Sequence, residues 1–164
     1  PEDREANFQR LLAAYPRIGW RLLRNESVVL QRRADRIALL GVENWSRNHG
    51  PSRGDLTAAS RGMEGIPFQI LLSHDPTHWD AEVRPKHPEV DLTLSGHTHA
   101  GQFGFEYGDW RWSPAGWFYD QWAGLYHTGG QYLYVNRGFG FVGLMGRVGI
   151  PPEITVFTLR RSQE

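Results

Sequence analysis

Leu94-Ser95-Gly96-His97-Thr98-His99-Ala100-Gly101-Gln102 sets two imidazoles two residues apart, directly behind an apolar run over residues 90–94. A third histidine repeats the arrangement: His74 closes Ile70-Leu71-Leu72-Ser73-His74 and is followed by Asp75-Pro76. Two apolar segments that each run into histidine predict a metal site built at strand ends. In an extended strand His97 and His99 would face opposite sides. In a loop behind Gly96 the backbone is freer, and both can turn toward a shared centre. Spacing alone also allows a plainer alternative, two loop histidines satisfied by local hydrogen bonds.

Around these segments the chain alternates strand and helix. A helix is expected within residues 1–25, with Phe8, Leu11, Leu12 and Tyr15 on one stripe and Pro16 near its end. Short strands follow over 28–30 and 36–42, the second nearly all apolar, as in a buried sheet. Residues 46–54 read as a polar loop. Asp55 is placed to cap a helix over 56–61. The next strand covers 68–72. Thr77 and Asp80 have capping-box spacing for a helix over 78–83, closed by Pro85 and Pro88. The strand over 90–94 then leads into the histidine loop. This βαβ-like order predicts an α/β domain. Beyond Gln102 the texture changes to an aromatic loop or rim over 103–122, then the Gly129-Gly130 turn, a strand over 131–135, a glycine-rich loop over 136–141 and a last strand over 153–159.

Composition narrows the chemistry. The 164 residues suffice for one domain with a core. Lys plus Arg and Asp plus Glu each number 18, for a formal net charge of zero, so nothing marks an electrostatic nucleic-acid binder. Arginine dominates the cations, with Lys86 the only lysine. There is no cysteine, which excludes disulfides and thiolate ligands and leaves His, Asp, Glu and Asn for a metal. No apolar run approaches membrane-spanning length, so a soluble domain is expected.

The two histidine segments together resemble the C-terminal half of calcineurin-like metallophosphoesterases. Gly124-Leu125-Tyr126, Leu133-Tyr134-Val135-Asn136-Arg137-Gly138-Phe139-Gly140 and Pro152-Glu153-Ile154-Thr155 extend the likeness to a bacterial phosphodiesterase-like subgroup, related to UDP-diacylglucosamine pyrophosphatases. The resemblance implies that residues 1–164 are the C-terminal portion of a single domain, half of a two-sheet β-sandwich flanked by helices, with the N-terminal half absent. It implies two divalent ions (Mn, Zn or Fe), with His74 and His97 on one and His99 on the other. It also implies a bridging aspartate, Asp-x-His ligands and a Gly-Asn-His segment bearing the proton donor. None of these occurs in this sequence, so the chain alone is expected to be inactive and to need the missing half as partner.

The complete parent is then expected to hydrolyse a phosphoester or pyrophosphate, with lipid-linked esters and peripheral membrane contact suggested by the subgroup and the aromatic rim. A bacterial, membrane-associated or exported location follows from the same resemblance. The alternative is a non-catalytic binding or structural remnant of the fold. Asn44 behind a strand, Gln102 beside the histidine loop and Arg137 in the glycine-rich loop are candidate substrate-binding or supporting residues. His78 is expected in a surface or capping role, and His49 and His87 in solvent.

Overall fold

The computed structural model describes residues 2–46, 52–108, 110–143 and 145–161. Six strands form one mixed sheet: β1 (Glu26–Arg32), β2 (Asp35–Gly41), β3 (Gln69–Leu72), β4 (Leu92–Ser95), β7 (Gly124–Thr128) and β8 (Gln131–Val135), in the spatial order β1-β2-β3-β4-β8-β7. Between β4 and β7 in the chain, β5 (Phe105–Tyr107) and β6 (Trp110–Trp112) make a separate antiparallel ribbon. The four central strands run parallel, and each outer pair is an antiparallel hairpin. The α/β expectation holds, with one main sheet.

Register explains the core. Leu40, Leu71, Thr93 and Leu133 lie opposite one another across four strands, and all four are fully buried. Side chains alternate along a strand, so this row fixes which face is covered. The helical segments close over it. In α2 (Leu56–Ser60), Leu56 and Ala59 point inward, and the Asp55 carboxylate caps the helix by accepting the Ala58 amide at 2.8 Å. A wide π-type turn, Trp79–Val83, contributes Trp79 and Val83 and runs on into a short helical turn, α3 (Arg84–Lys86). The first helix, α1 (Glu2–Arg17), keeps Phe8, Leu12, Ala14 and Tyr15 half-buried, and its other residues from Asp3 on are exposed. Among the described residues, no helix is long and apolar enough to cross a membrane.

The opposite face of the sheet is partly open: Thr155 and Phe157 lie against it at Tyr134, and the rest is less covered. Leu30, Leu72, Leu125 and Tyr132 are exposed there, although Ile70 and Leu92 between them are buried.

Several local expectations change. No capping box forms at Thr77: Asp75 takes both the Thr77 amide and hydroxyl, and the helical segment runs through Pro85, which sits in a first-turn position that needs no amide hydrogen. The strand expected over 153–159 is absent, and no backbone ladder joins these residues to the sheet. That segment is held by side chains instead, with Thr155 against Tyr134 and Asn136, and Phe157 edge-on to Tyr134. Strand β7 was not anticipated. Its partner is set by the Gly129-Gly130 turn, whose φ values of 59° and 90° suit a two-residue hairpin. In the polar loop over 46–54, residues 47–51, His49 among them, lie outside the described residues.

Leu71→Ala should lower stability by about 2–5 kcal/mol through the cavity it leaves. Asp55→Ala should cost about 1 kcal/mol by removing the cap. Urea unfolding midpoints measure both.

Candidate metal centre

Three parallel strands deliver their following loops to one edge of the sheet. The ladder runs past the strand ends: the Ser73 amide donates to the Leu94 carbonyl at 3.1 Å, Gly96 to His74 at 3.0 Å, and Asn136 to Ser95 at 2.8 Å. His74 behind β3 and His97 behind β4 are thereby neighbours. Their rings stand edge to face with centroids 5.2 Å apart.

The turn that aims the second and third histidines differs from expectation. Gly96 has no left-handed backbone. Instead His97, His99, Ala100 and Gln102 have φ of 70°, 50°, 49° and 57°, with Gly101 at 63°. Left-handed non-glycine residues are costly and collect where function imposes geometry. The surroundings hold the turn. Thr98 donates to the Trp122 carbonyl at 2.7 Å and accepts the Ala100 amide, Ser113 donates to the Ala100 carbonyl at 2.6 Å, and Arg147 donates to the His99 carbonyl at 3.2 Å. Ala100 packs with Ala115, Trp122, Ala123 and Ile150 in a small second core.

The imidazoles have the chemistry of metal ligands. Burial pushes the His74 pKa below its ordinary value, and His97 adds to this against an opposing pull from Asp75. Burial also lowers that of His99, followed by the nearby Arg147 and His97. Both rings therefore favour the neutral form that binds a cation. His99 Nδ1 is buried without a hydrogen-bond partner. The His97 ring meets Tyr119, whose hydroxyl lies 3.0 Å from Nε2. Sequence reading passed over Tyr119, one ring in a segment full of them. Among the described residues, no three His, Asp or Glu side chains by themselves form a group able to hold a metal ion. Neutral imidazoles at His74 and His99 are chemically suited to a divalent cation, and the described residues do not complete a donor set.

The other candidates are scattered. Asn44 is exposed behind β2, and its carbonyl accepts the Arg53 and Gly54 amides. Gln102 is buried and clamps residue 142 through both its amide atoms, with Nε2 donating to the Val142 carbonyl at 3.0 Å. The Arg137 guanidinium is engaged by two carboxylates, Glu153 at 3.1 Å and Glu106 at 2.7 Å, so the donors expected to grip phosphate already hold protein.

His78 and His87 need correction. Both are buried, because the helical segment lies flat on the sheet. His87 Nδ1 pairs with Glu89 at 2.9 Å. His78 stacks on Trp45 with centroids 4.6 Å apart, lies 2.9 Å from the Ser73 hydroxyl through Nδ1 and 3.4 Å from Glu82 through Nε2. Burial, outweighing Glu82, lowers its pKa to about 4.

Comparison with known proteins follows the same direction. Over 94 residues, 57% of this chain, it is 46% identical to "Uncharacterized metallophosphoesterase YkuE" of Bacillus subtilis, covering 31% of that protein. It is 28% identical to "Uncharacterized metallophosphoesterase YkoQ" of the same organism, over 93% of this chain and 54% of the relative. It is 34% identical to "Transmembrane protein with metallophosphoesterase domain" of Bos taurus, over 77% of this chain and 28% of that protein. These relatives support the calcineurin-like metallophosphoesterase superfamily. The chain spans about half or less of the length of these relatives. No protein-family model and no solved structure matches it.

Two predictions follow from this geometry. The folded pKa of His78 lies below its unfolded value of about 6.5, so between the two the unfolded chain binds more protons. Stability should therefore fall as pH drops from about 6.5 toward about 4, and His78→Gln should flatten the slope of the urea midpoint against pH, leaving the smaller parts of His74 and His99. Arg137→Ala should destabilise by about 1–3 kcal/mol, since two carboxylates lose a charged donor; thermal unfolding reads this without any substrate.

Proposed function

We propose that this chain is the histidine-bearing half of a metal-dependent phosphoesterase domain, and that the complete parent hydrolyses a phosphoester or pyrophosphate. The observation that carries the reading is the meeting of His74 and His97 at one sheet edge, behind adjacent parallel strands, in a chain whose relatives are named metallophosphoesterases. His74 and His97 would hold one divalent ion and His99 a second, of Mn, Zn or Fe type. Divalent ions at such a site activate water and neutralise charge on the phosphoryl oxygens. The residues of this chain favour the neutral forms of His74 and His99, aim the second and third histidines through the strained turn, and bury the loop on its small second core.

The remaining ligands, aspartates and a Gly-Asn-His proton donor, would come from the other half of the domain. The open face of the sheet supports that partner: Leu30, Leu72, Leu125 and Tyr132 form a surface suited to a second sheet packed face to face. The relatives' greater length gives room for it. Relatives from Bos taurus and Danio rerio are named as transmembrane proteins, which supports a membrane-associated parent; a lipid-linked ester as substrate rests on the motif resemblance alone. A bacterial or exported parent rests on the motif resemblance alone.

Calorimetry of this chain alone with Mn or Zn should show weak binding; a tight two-site isotherm would overturn the half-site reading. The parent protein, supplied with Mn, should cleave a model phosphodiester, and His97→Ala should lower its kcat/KM by about a hundredfold or more. A parent that shows no metal-dependent cleavage of phosphomonoester, phosphodiester or pyrophosphate would refute the hydrolase reading.

A further inference from the structure

The histidines of the candidate centre are not steadied in the same way. His97 meets Tyr119 through Nε2 at 3.0 Å, and its ring stands edge to face with both His74 and Tyr119. His99 has no such support. Among the described residues its ring makes no hydrogen bond, and Nδ1 is buried without a partner. A histidine that ligates a metal ordinarily gives its second ring nitrogen to a fixed partner, which orients the ring. Without one, the direction of the His99 ring rests first on its backbone, which is left-handed with φ 50°.

That backbone is gripped by a single side chain. Arg147 Nη1 donates to the His99 carbonyl at 3.2 Å, and among the described residues no other side chain does so. The same guanidinium donates through Nε to the Gly140 carbonyl at 3.0 Å and through Nη2 to the Arg137 carbonyl at 2.6 Å. One planar fork thus gathers three carbonyls from two separate segments, the histidine turn and the glycine-rich loop behind β8. Among the described residues Arg147 has no carboxylate partner, so its charge strengthens these three bonds undivided. A lysine ammonium carries the same charge and cannot reproduce the fork.

The contacts around the turn divide between its two sides. Thr98 and Ser113 fix residues 98 and 100 to the aromatic segment, through the Trp122 and Ala100 carbonyls. His99, between them, is fixed to the glycine-rich loop by Arg147. Gln102 makes a second tie in the same direction: its carbonyl accepts the Val148 amide at 2.8 Å, and its Nε2 donates to the Val142 carbonyl at 3.0 Å. The two segments therefore stay joined at Gln102 when Arg147 is altered, and loss of the fork acts on His99 alone.

From this geometry we propose that Arg147 is the positioning residue of His99: its fork holds the carbonyl of the left-handed residue, and so the direction of the imidazole, in register with the glycine-rich loop. The consequence for a metal ion at His99 rests on the function proposed above. The shape of the turn does not.

Arg147→Lys, which keeps the charge, and Arg147→Gln, which removes it, test the proposal together. In this chain alone, NMR should show at His99 the strong intraresidue amide–Hα Overhauser effect of a left-handed residue. Both variants should weaken it while the one at Gln102 stays, with an unchanged circular dichroism spectrum. In the parent, Mn titration should show two ions, and both variants should weaken one of them by about tenfold or more and leave the other as it was. Recovery of the Overhauser effect and of Mn affinity by lysine would mean that charge acts and the fork does not, which overturns the proposal. So does a His99 signal that neither variant moves, or an equal weakening of both ions, the result of a merely structural role. A parent that binds no Mn removes the metal reading, and the His99 signal of the chain alone still decides whether Arg147 sets the turn. If both variants fail to fold, the unaltered chain decides: Arg147 side-chain protons that exchange with water as fast as those of the exposed Arg161 overturn the proposal, and slow exchange supports it.

Discussion

The Gly96 amide donating to the His74 carbonyl is the contact on which the site depends. It extends the β3–β4 ladder one step beyond the strands and so fixes the spacing of the loops that carry His74 and His97. The Asn136 amide does the same on the other side, donating to Ser95 and bringing the glycine-rich loop to the same edge. Parallel pairing makes this possible, because it places the carboxyl ends of successive strands together, where open α/β sheets gather their functional loops. The covered row from Leu40 to Leu133 anchors the ladder from below.

Two faces of the molecule carry exposed apolar groups for different reasons. On the open side of the sheet, aliphatic and tyrosine side chains alternate with the strand period and surround residues that are already buried, as one layer of a core does. On the β5–β6 ribbon the exposed groups are rings, and the ribbon's charges are turned inward onto Arg137, Trp122 and Tyr126. The first surface suits dry packing against another layer of protein. The second is a cluster of rings whose described contacts are with one another.

The elements legible in the sequence were those with a local physical signature. The Asp55 cap, the Gly129-Gly130 turn and the apolar runs ending in His74 and His97 each follow from chemistry within a few residues. What was not legible depended on distant partners. Residues 153–159 have strand composition, but Thr155 and Phe157 are held by side-chain contacts to Tyr134 and Asn136 instead of a ladder. His78 looks like a surface residue until Trp45, far away in the chain, stacks on it. Arg137 reads as a phosphate fork until Glu106 and Glu153 close on it. The candidate site divides the same way. Its histidines are motif residues, whereas Tyr119 reaches His97 only through the folding of the aromatic segment.

The left-handed residues His97, His99, Ala100 and Gln102 also bear on how firmly the loop is held. Each such non-glycine residue costs about 1–2 kcal/mol against a relaxed backbone, so the turn is a local reserve of instability inside an otherwise ordered sheet. Sequence drift toward glycine at Ala100 would relieve part of that cost and select for a sturdier chain with a looser loop. Ala100, buried and left-handed, thus holds the loop in a shape whose backbone cost the surrounding contacts must offset.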